Sequence, residues 1–251
     1  MYDNYIYCYI SECLGTFILC LGVACGTYYD KPNIQRTDFI TTLSVIFTSM
    51  LMHAKIGGAD FNPGVTLTKY IAYTGELKSH LQQIISMYFV VQCVGAFVSF
   101  LCYGVFTGGV ILYKLDKTSD TSIISGFIME FIASYFTYLF IIVIDRNQNL
   151  NKNFTFKLFS CATAVATGMS IGSNTSGAGL NPAVGIGSSF ARAILLGSVS
   201  EIKQLWMFVV APLLAAYCAG NTFTQVKDMY YNFKDVNEET EKMGLQEVVQ
   251  T

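Results

Sequence analysis

Two short strings in the chain place an asparagine directly before a proline: Gly58-Ala59-Asp60-Phe61-Asn62-Pro63-Gly64-Val65 and Gly177-Ala178-Gly179-Leu180-Asn181-Pro182-Ala183-Val184. Proline suits the first helical position because its missing N–H would lack a partner there, and asparagine is a good N-cap. A lone Asn-Pro therefore says only that a helix begins. Two copies in matched Gly-Ala-x-x-Asn-Pro contexts say more. Helices starting tip to tip would each present about half a positive charge from their aligned peptide dipoles. Each Asn amide also offers two N–H donors. Such a junction repels cations and donates to the oxygen of a passing water or hydroxyl, which breaks a continuous proton relay.

Glu12 and Glu130, the acids well inside apolar runs, open similar strings, Glu12-Cys13-Leu14-Gly15-Thr16-Phe17 and Glu130-Phe131-Ile132-Ala133-Ser134-Tyr135. They lie 118 residues apart and the two asparagines 119 apart. The same offset twice signals a duplicated unit. Each unit holds three apolar runs, an odd number, so the second copy enters the membrane from the opposite side and the halves form an inverted repeat.

The elements that must position these residues follow from composition. The chain is 53% hydrophobic and 13% charged, where a soluble domain carries about 25% charged residues. A helix needs about 20 apolar residues to cross the hydrocarbon core. Six runs near 5–28, 38–57, 82–106, 123–144, 155–173 and 205–225 are long enough, and alternating strand-like patterns are absent. Segments 64–73 and 183–196 are too short or too polar to cross and read as re-entrant half-helices. Irregular backbone at membrane depth is tolerated only where protein buries it or water solvates it. An all-α membrane protein is expected, with six transmembrane helices and two half-helices around an aqueous path. It forms one channel domain over 1–225, with halves near 5–110 and 123–225, followed by a cytoplasmic tail over 226–251.

That tail carries three lysines and the acids Asp228, Asp235, Glu238, Glu239, Glu241 and Glu247, too polar to enter lipid. Residues 1–5 hold no Lys or Arg and Glu12 interrupts the first run, so a retained helix is expected rather than a signal peptide. If both termini share a face, nine bases fall on it (Lys55, Lys69, Lys78, Arg146, Lys152, Lys157, Lys227, Lys234, Lys242) against six opposite. The positive-inside tendency places that face in the cytoplasm, in the plasma membrane or an internal one. The eight cysteines lie inside apolar runs without His partners at metal-ligand spacing, so packing explains them. His53 and His80 belong to no Ser-His or metal signature and are placed at a span end or loop, so an enzyme is not expected. No cofactor, metal or nucleic-acid partner is expected either.

With both Asn-Pro elements, both glutamates, Gln92-Cys93-Val94-Gly95-Ala96 in the third run and Trp206 with Pro212-Leu213-Leu214-Ala215-Ala216 in the sixth, the chain resembles the aquaporin or major intrinsic protein family over roughly residues 5–225. The resemblance implies six tilted helices around a pore in each subunit, a homotetramer, and Glu12 and Glu130 bracing the re-entrant loops. It also implies the pore motifs Asn62, Pro63, Gly64 and Asn181, Pro182, Ala183. By the family's spacing the selectivity constriction falls on Thr42, Met169, Ala178 and Val184.

Three positions depart from the family's pattern. Gly64 stands where the family usually has Ala, which loosens the half-helix start. Val184 stands where the constriction arginine usually follows the second Asn-Pro-Ala. A charge 4 Å from a permeating cation contributes roughly 4 kcal/mol at an effective dielectric of 20, so a barrier of that order is gone. Asp60 stands where the family commonly has His, at the inner mouth, either attracting cations or capping nearby amides. The expected activity is passive passage of water and small uncharged solutes such as glycerol, urea, ammonia or hydrogen peroxide. The alternatives are an ion-permeable channel, suggested by Val184 and Asp60, and a non-conducting structural or adhesion role.

Overall fold

The computed structural model describes residues 3–31, 34–108, 121–147 and 152–249. Lys114 and Lys117, among the six bases counted on the outer face, and the last two residues of the tail lie outside the described residues. Six long helices form where the apolar runs predict them: α1 Asp3–Cys25, α2 Phe39–Gly57, α4 Gly75–Phe106, α5 Ile123–Arg146, α6 Phe154–Gly172 and α8 Leu205–Val249. Their shortest members, 19 residues long, reach roughly 28 Å at about 1.5 Å per residue, close to the thickness of the hydrocarbon core. Between them stand two shorter helices, α3 Pro63–Ala72 and α7 Pro182–Leu196. At roughly 15 and 22 Å by the same rise, neither can cross.

Helix ends differ from the hydropathy boundaries, because apolar length measures what lipid covers and not where a helix stops. α4 begins at Gly75 instead of near residue 82. Its polar first turns stay helical because Leu81, Ile84 and Tyr88 pack with Tyr5, Tyr9, Tyr70 and Tyr73 in one aromatic cluster. The first run ends at Cys25 rather than near residue 28, and a short antiparallel hairpin follows it, β1 Thr27–Lys31 and β2 Ile34–Thr37. Neither Thr27-Tyr28-Tyr29-Asp30-Lys31 nor Ile34-Gln35-Arg36-Thr37 alternates apolar with polar residues, so hydropathy gives no sign of them. At the other end, the polar tail is a direct helical continuation of α8. His53 lies inside α2 and His80 inside α4.

The two halves pack by exchange. Within each half the first long helix packs on the third, α1 on α4 and α5 on α8, whereas each half-helix packs on the third helix of the other half, α3 on α8 and α7 on α4. Large apolar side chains such as Ile10, Leu14, Val94, Phe136, Phe140, Val210 and Leu214 remain exposed on the long helices, as lipid contact requires. Lipid gives helices no hydrophobic reason to associate, so close contact falls to small residues. Gly95 of α4 is such a point: a Cβ there would lie 2.3 Å from the Cys13 carbonyl oxygen of α1. That atom is helix backbone and has nowhere to go. Gly95→Leu is expected to destabilise the protein by about 1–3 kcal/mol, read as a lower unfolding temperature in detergent, while Val94→Leu on the exposed face leaves it unchanged.

Candidate functional site

The segments that lead into α3 and α7 have the same backbone. Gly58 and Gly177 adopt φ of 89° and 87°, Ala59 and Ala178 56° and 55°, Phe61 and Leu180 51° and 48°. Each pair is separated by 119 residues, the offset of the asparagines. Side-chain-bearing residues rarely hold positive φ, which costs about 1–3 kcal/mol each, so something must hold the loops open. The buried carboxylates do so. Glu12 accepts from the N–H groups of Asp60 at 2.9 Å and Phe61 at 2.8 Å. Glu130 accepts from the N–H groups of Gly179 at 3.2 Å and Leu180. Both glutamates are fully buried, and the amides they receive would otherwise stand unpaired at membrane depth.

A further donor reaches each carboxylate by a different route in each half. Gln92 of α4 donates its amide N–H to Glu12 at 2.9 Å and to the Thr66 hydroxyl at 3.2 Å. Gly187 meets Ala96 of α4 where its counterpart Thr68 meets Ala216 of α8, so the position matching Gln92 in the second half is Pro212, which has nothing to donate. There the Ser176 hydroxyl donates to Glu130 at 2.7 Å, and the position matching Ser176 in the first half is Gly57. The satisfied carboxylate is common to both halves, and the donor residue is not.

Past these loops Asn62 and Asn181 act as N-caps. Asn62 Oδ1 accepts the Gly64 N–H at 2.8 Å and Asn181 Oδ1 accepts the Ala183 N–H at 2.9 Å. Their amide groups bind the halves together, because Asn62 Nδ2 donates to the Leu180 carbonyl at 2.8 Å and Asn181 Nδ2 to the Phe61 carbonyl at 2.9 Å. One of the two N–H donors of each Asn is thereby committed, and one remains for the cavity that both residues line.

Gly64 has a physical reason that composition does not reveal. The Tyr138 hydroxyl of α5 reaches into this junction, donates to the Leu180 carbonyl at 2.7 Å and lies 3.4 Å from Asn62 Oδ1. A Cβ on residue 64 would stand 2.2 Å from that hydroxyl oxygen and 2.4 Å from the ring carbon bearing it. The glycine makes room for the tyrosine, whose buried ring occupies the space an alanine methyl would take.

The cavity, of about 240 Å³, runs along the inside of the helix bundle. On one side of the asparagines its wall is apolar, with Leu19, Val23, Phe100, Met169 and Val184. Thr42 and Ala178 are buried, at 2% and 1% exposure, but do not line this cavity; the Thr42 hydroxyl finds no partner among the described residues. On the other side, charged residues stand among apolar ones such as Val65, Ile141, Leu158 and Val165. Asp60 pairs with Lys69 of α3, and Asp145 of α5 pairs with Lys157 of α6 at 2.7 Å. The Tyr73 hydroxyl donates to Asp145 as well. Asp60 is therefore not the bare carboxylate the sequence suggests, and among the described residues its side chain does not cap a loop amide as the other reading has it. Lys69, Tyr73, Tyr138, Asp145 and Lys157 were not singled out from sequence. A lysine within a half-helix that stays in the membrane is the available signal, since intramembrane charges are rare and find partners.

Gly64→Ala is expected to lower the folded yield several-fold in detergent by driving its methyl into Tyr138. The double variant with Tyr138→Leu, which removes the clashing atoms, recovers yield over Gly64→Ala alone. Equal yields for the single and double variants would mean that the contact does not limit folding.

Residues 4–223 match the family described as Major intrinsic protein. Glycerol uptake facilitator protein-like 6 of Lactiplantibacillus plantarum is 28% identical over 218 residues, 84% of this chain and 95% of that protein. The aquaglyceroporin of Plasmodium falciparum is 27% identical over 241 residues, covering 90% and 91% of the two chains. The X-ray structure of the aquaglyceroporin from Plasmodium falciparum shares the fold, with a TM-score of 0.72 at 23% identity over 91% of this chain and 99% of that one. With matched loops, crossed asparagines and this coverage, the chain belongs to the major intrinsic protein family, whose members are passive channels and not enzymes.

Proposed function

We propose that the protein passes water and small uncharged solutes through the cavity between its halves, with glycerol, urea, ammonia and hydrogen peroxide as the solutes of matching size and charge. The observation that carries this reading is the junction of α3 and α7. Two helix N-termini meet there, and Asn62 and Asn181 each keep one N–H for the cavity after bridging the halves. A neutral hydroxyl or amide oxygen is served by those donors, while a cation meets two positive helix ends. Relatives named as a glycerol uptake facilitator and an aquaglyceroporin agree with passage of more than water alone.

The constriction is proposed to lack a fixed cation, with Val184 and the flexible Met169 in its wall and Thr42 and Ala178 beside them. The remaining family features are proposed with it: assembly as a homotetramer in a lipid membrane, both termini cytoplasmic, one channel domain over 1–225 and a cytoplasmic tail over 226–251. An even number of crossings does return the chain to its starting face. Ion permeation has less support than the sequence suggests, because the Asp60 carboxylate is paired with Lys69. A structural or adhesion role has no observation in its favour.

Reconstituted in liposomes, the protein is expected to speed osmotic shrinkage and the entry of glycerol and urea over empty vesicles. No increase in any of these would overturn the reading. Val184→Arg is expected to lower glycerol and urea entry relative to water by about tenfold or more, the effect of roughly 1.4 kcal/mol at the barrier. Unchanged solute ratios would show that Val184 does not face the permeating solute.

A further inference from the structure

Four charged residues line the cavity: Asp60, Lys69, Asp145 and Lys157. They carry two charges of each sign, and each is bound to an opposite one. All four lie toward one mouth. α3 starts at the junction and runs back to the face where α2 ends, so Lys69 in its last turn and Tyr73 just past its end lie toward that face, the Lys69 ammonium reaching back to Asp60. α5 ends there with Asp145, and α6 starts there with Lys157. Tyr73 is the residue that ends α3, and its backbone N–H donates to the Lys69 carbonyl at 2.8 Å, which ties the two positions together. That backbone link sets the two pairs side by side at the end of α3, Asp60 with Lys69 and, through Tyr73, Asp145 with Lys157. The innermost pair is also the driest, with side-chain exposure of 4% for Asp60 and 13% for Lys69, against 15% and 20% for Asp145 and Lys157.

An ion crossing such a pore loses its hydration shell and needs wall charges of opposite sign to replace it. A lone carboxylate at 4 Å would favour a cation on the order of a thousandfold at an effective dielectric of 20, and a lone ammonium would favour an anion equally. Placed in contact, the two cancel. Val184 and Met169 meanwhile give the other side of the junction no fixed charge with which to reject ions.

We propose that the Asp60–Lys69 pair is the charge filter of this pore, a carboxylate and an ammonium that cancel in the wall so that ions of neither sign find a place to bind. The inference rests on the cavity being the path of neutral solutes, and it adds to the positive helix ends at the junction a second determinant of ion exclusion, at the inner mouth. It also accounts for a lysine at membrane depth, since Asp60 alone would turn the mouth into a cation site.

The test compares wild type, Lys69→Met, Asp60→Asn and the double variant in planar bilayers across a potassium chloride gradient, with liposome shrinkage in water and glycerol measured on the same preparations. Wild type is expected to be electrically silent. Lys69→Met, which keeps the aliphatic length, conducts with a reversal potential near that of potassium, and Asp60→Asn with one near that of chloride, each at least roughly tenfold above wild type. The double variant is silent again. Should Lys69→Met fail to fold, Lys69→Gln keeps a hydrogen-bond donor for Asp60 and carries the same expectation. Single variants that pass water yet remain silent overturn the charge filter, as does a wild type that carries ions or two single variants of the same selectivity. A wild type that passes no neutral solute overturns the channel reading itself, which the shrinkage measurement shows separately.

Discussion

Two stretches of non-helical backbone end inside the membrane, and their amides have no water to bind. Glu12 and Glu130 meet that constraint by receiving the N–H groups of Asp60 and Phe61, and of Gly179 and Leu180. Each unpaired polar group in hydrocarbon would cost several kcal/mol, more than the strain of the left-handed residues the loops contain. With the loops held in that conformation, the two asparagines are aimed at each other and the half-helices at the junction. Everything chemical in the cavity follows from that aim, because the Asn donors and the helix dipoles act only where the loop ends.

The inverted repeat preserves this geometry and lets the side chains behind it differ. Gln92 serves one carboxylate and Ser176 the other, each opposite a residue that has no side-chain donor, Pro212 or Gly57. Tyr138 fills the space above Gly64, whereas Ala183 keeps its methyl in the other half. The same freedom extends to the cavity wall, apolar toward Val184 and Met169 and charged toward Lys69 and Asp145. A pore so built is symmetric in its backbone and asymmetric in its electrostatics, so its two mouths present different surfaces to a solute.

Much of this was legible in residue order. Apolar length gave six spans because lipid thickness imposes it. The offsets of 118 and 119 residues gave the inverted repeat, and Asn-Pro gave the start of each half-helix, because capping is a local rule. These depend on composition, periodicity and neighbours in the chain, so the sequence alone determined a membrane channel fold, its two halves and the residues at their junction. Only the tertiary structure decided how α4 begins on an aromatic cluster, why residue 64 is glycine and what Asp60 faces. Each of those answers is a contact between side chains whose elements meet only after folding. Gly64 and Tyr138 are spelled on different helices of different halves, and nothing in either string names the other. The Asn-Pro signal is written in adjacent residues, but the partner of a buried charge is set by packing.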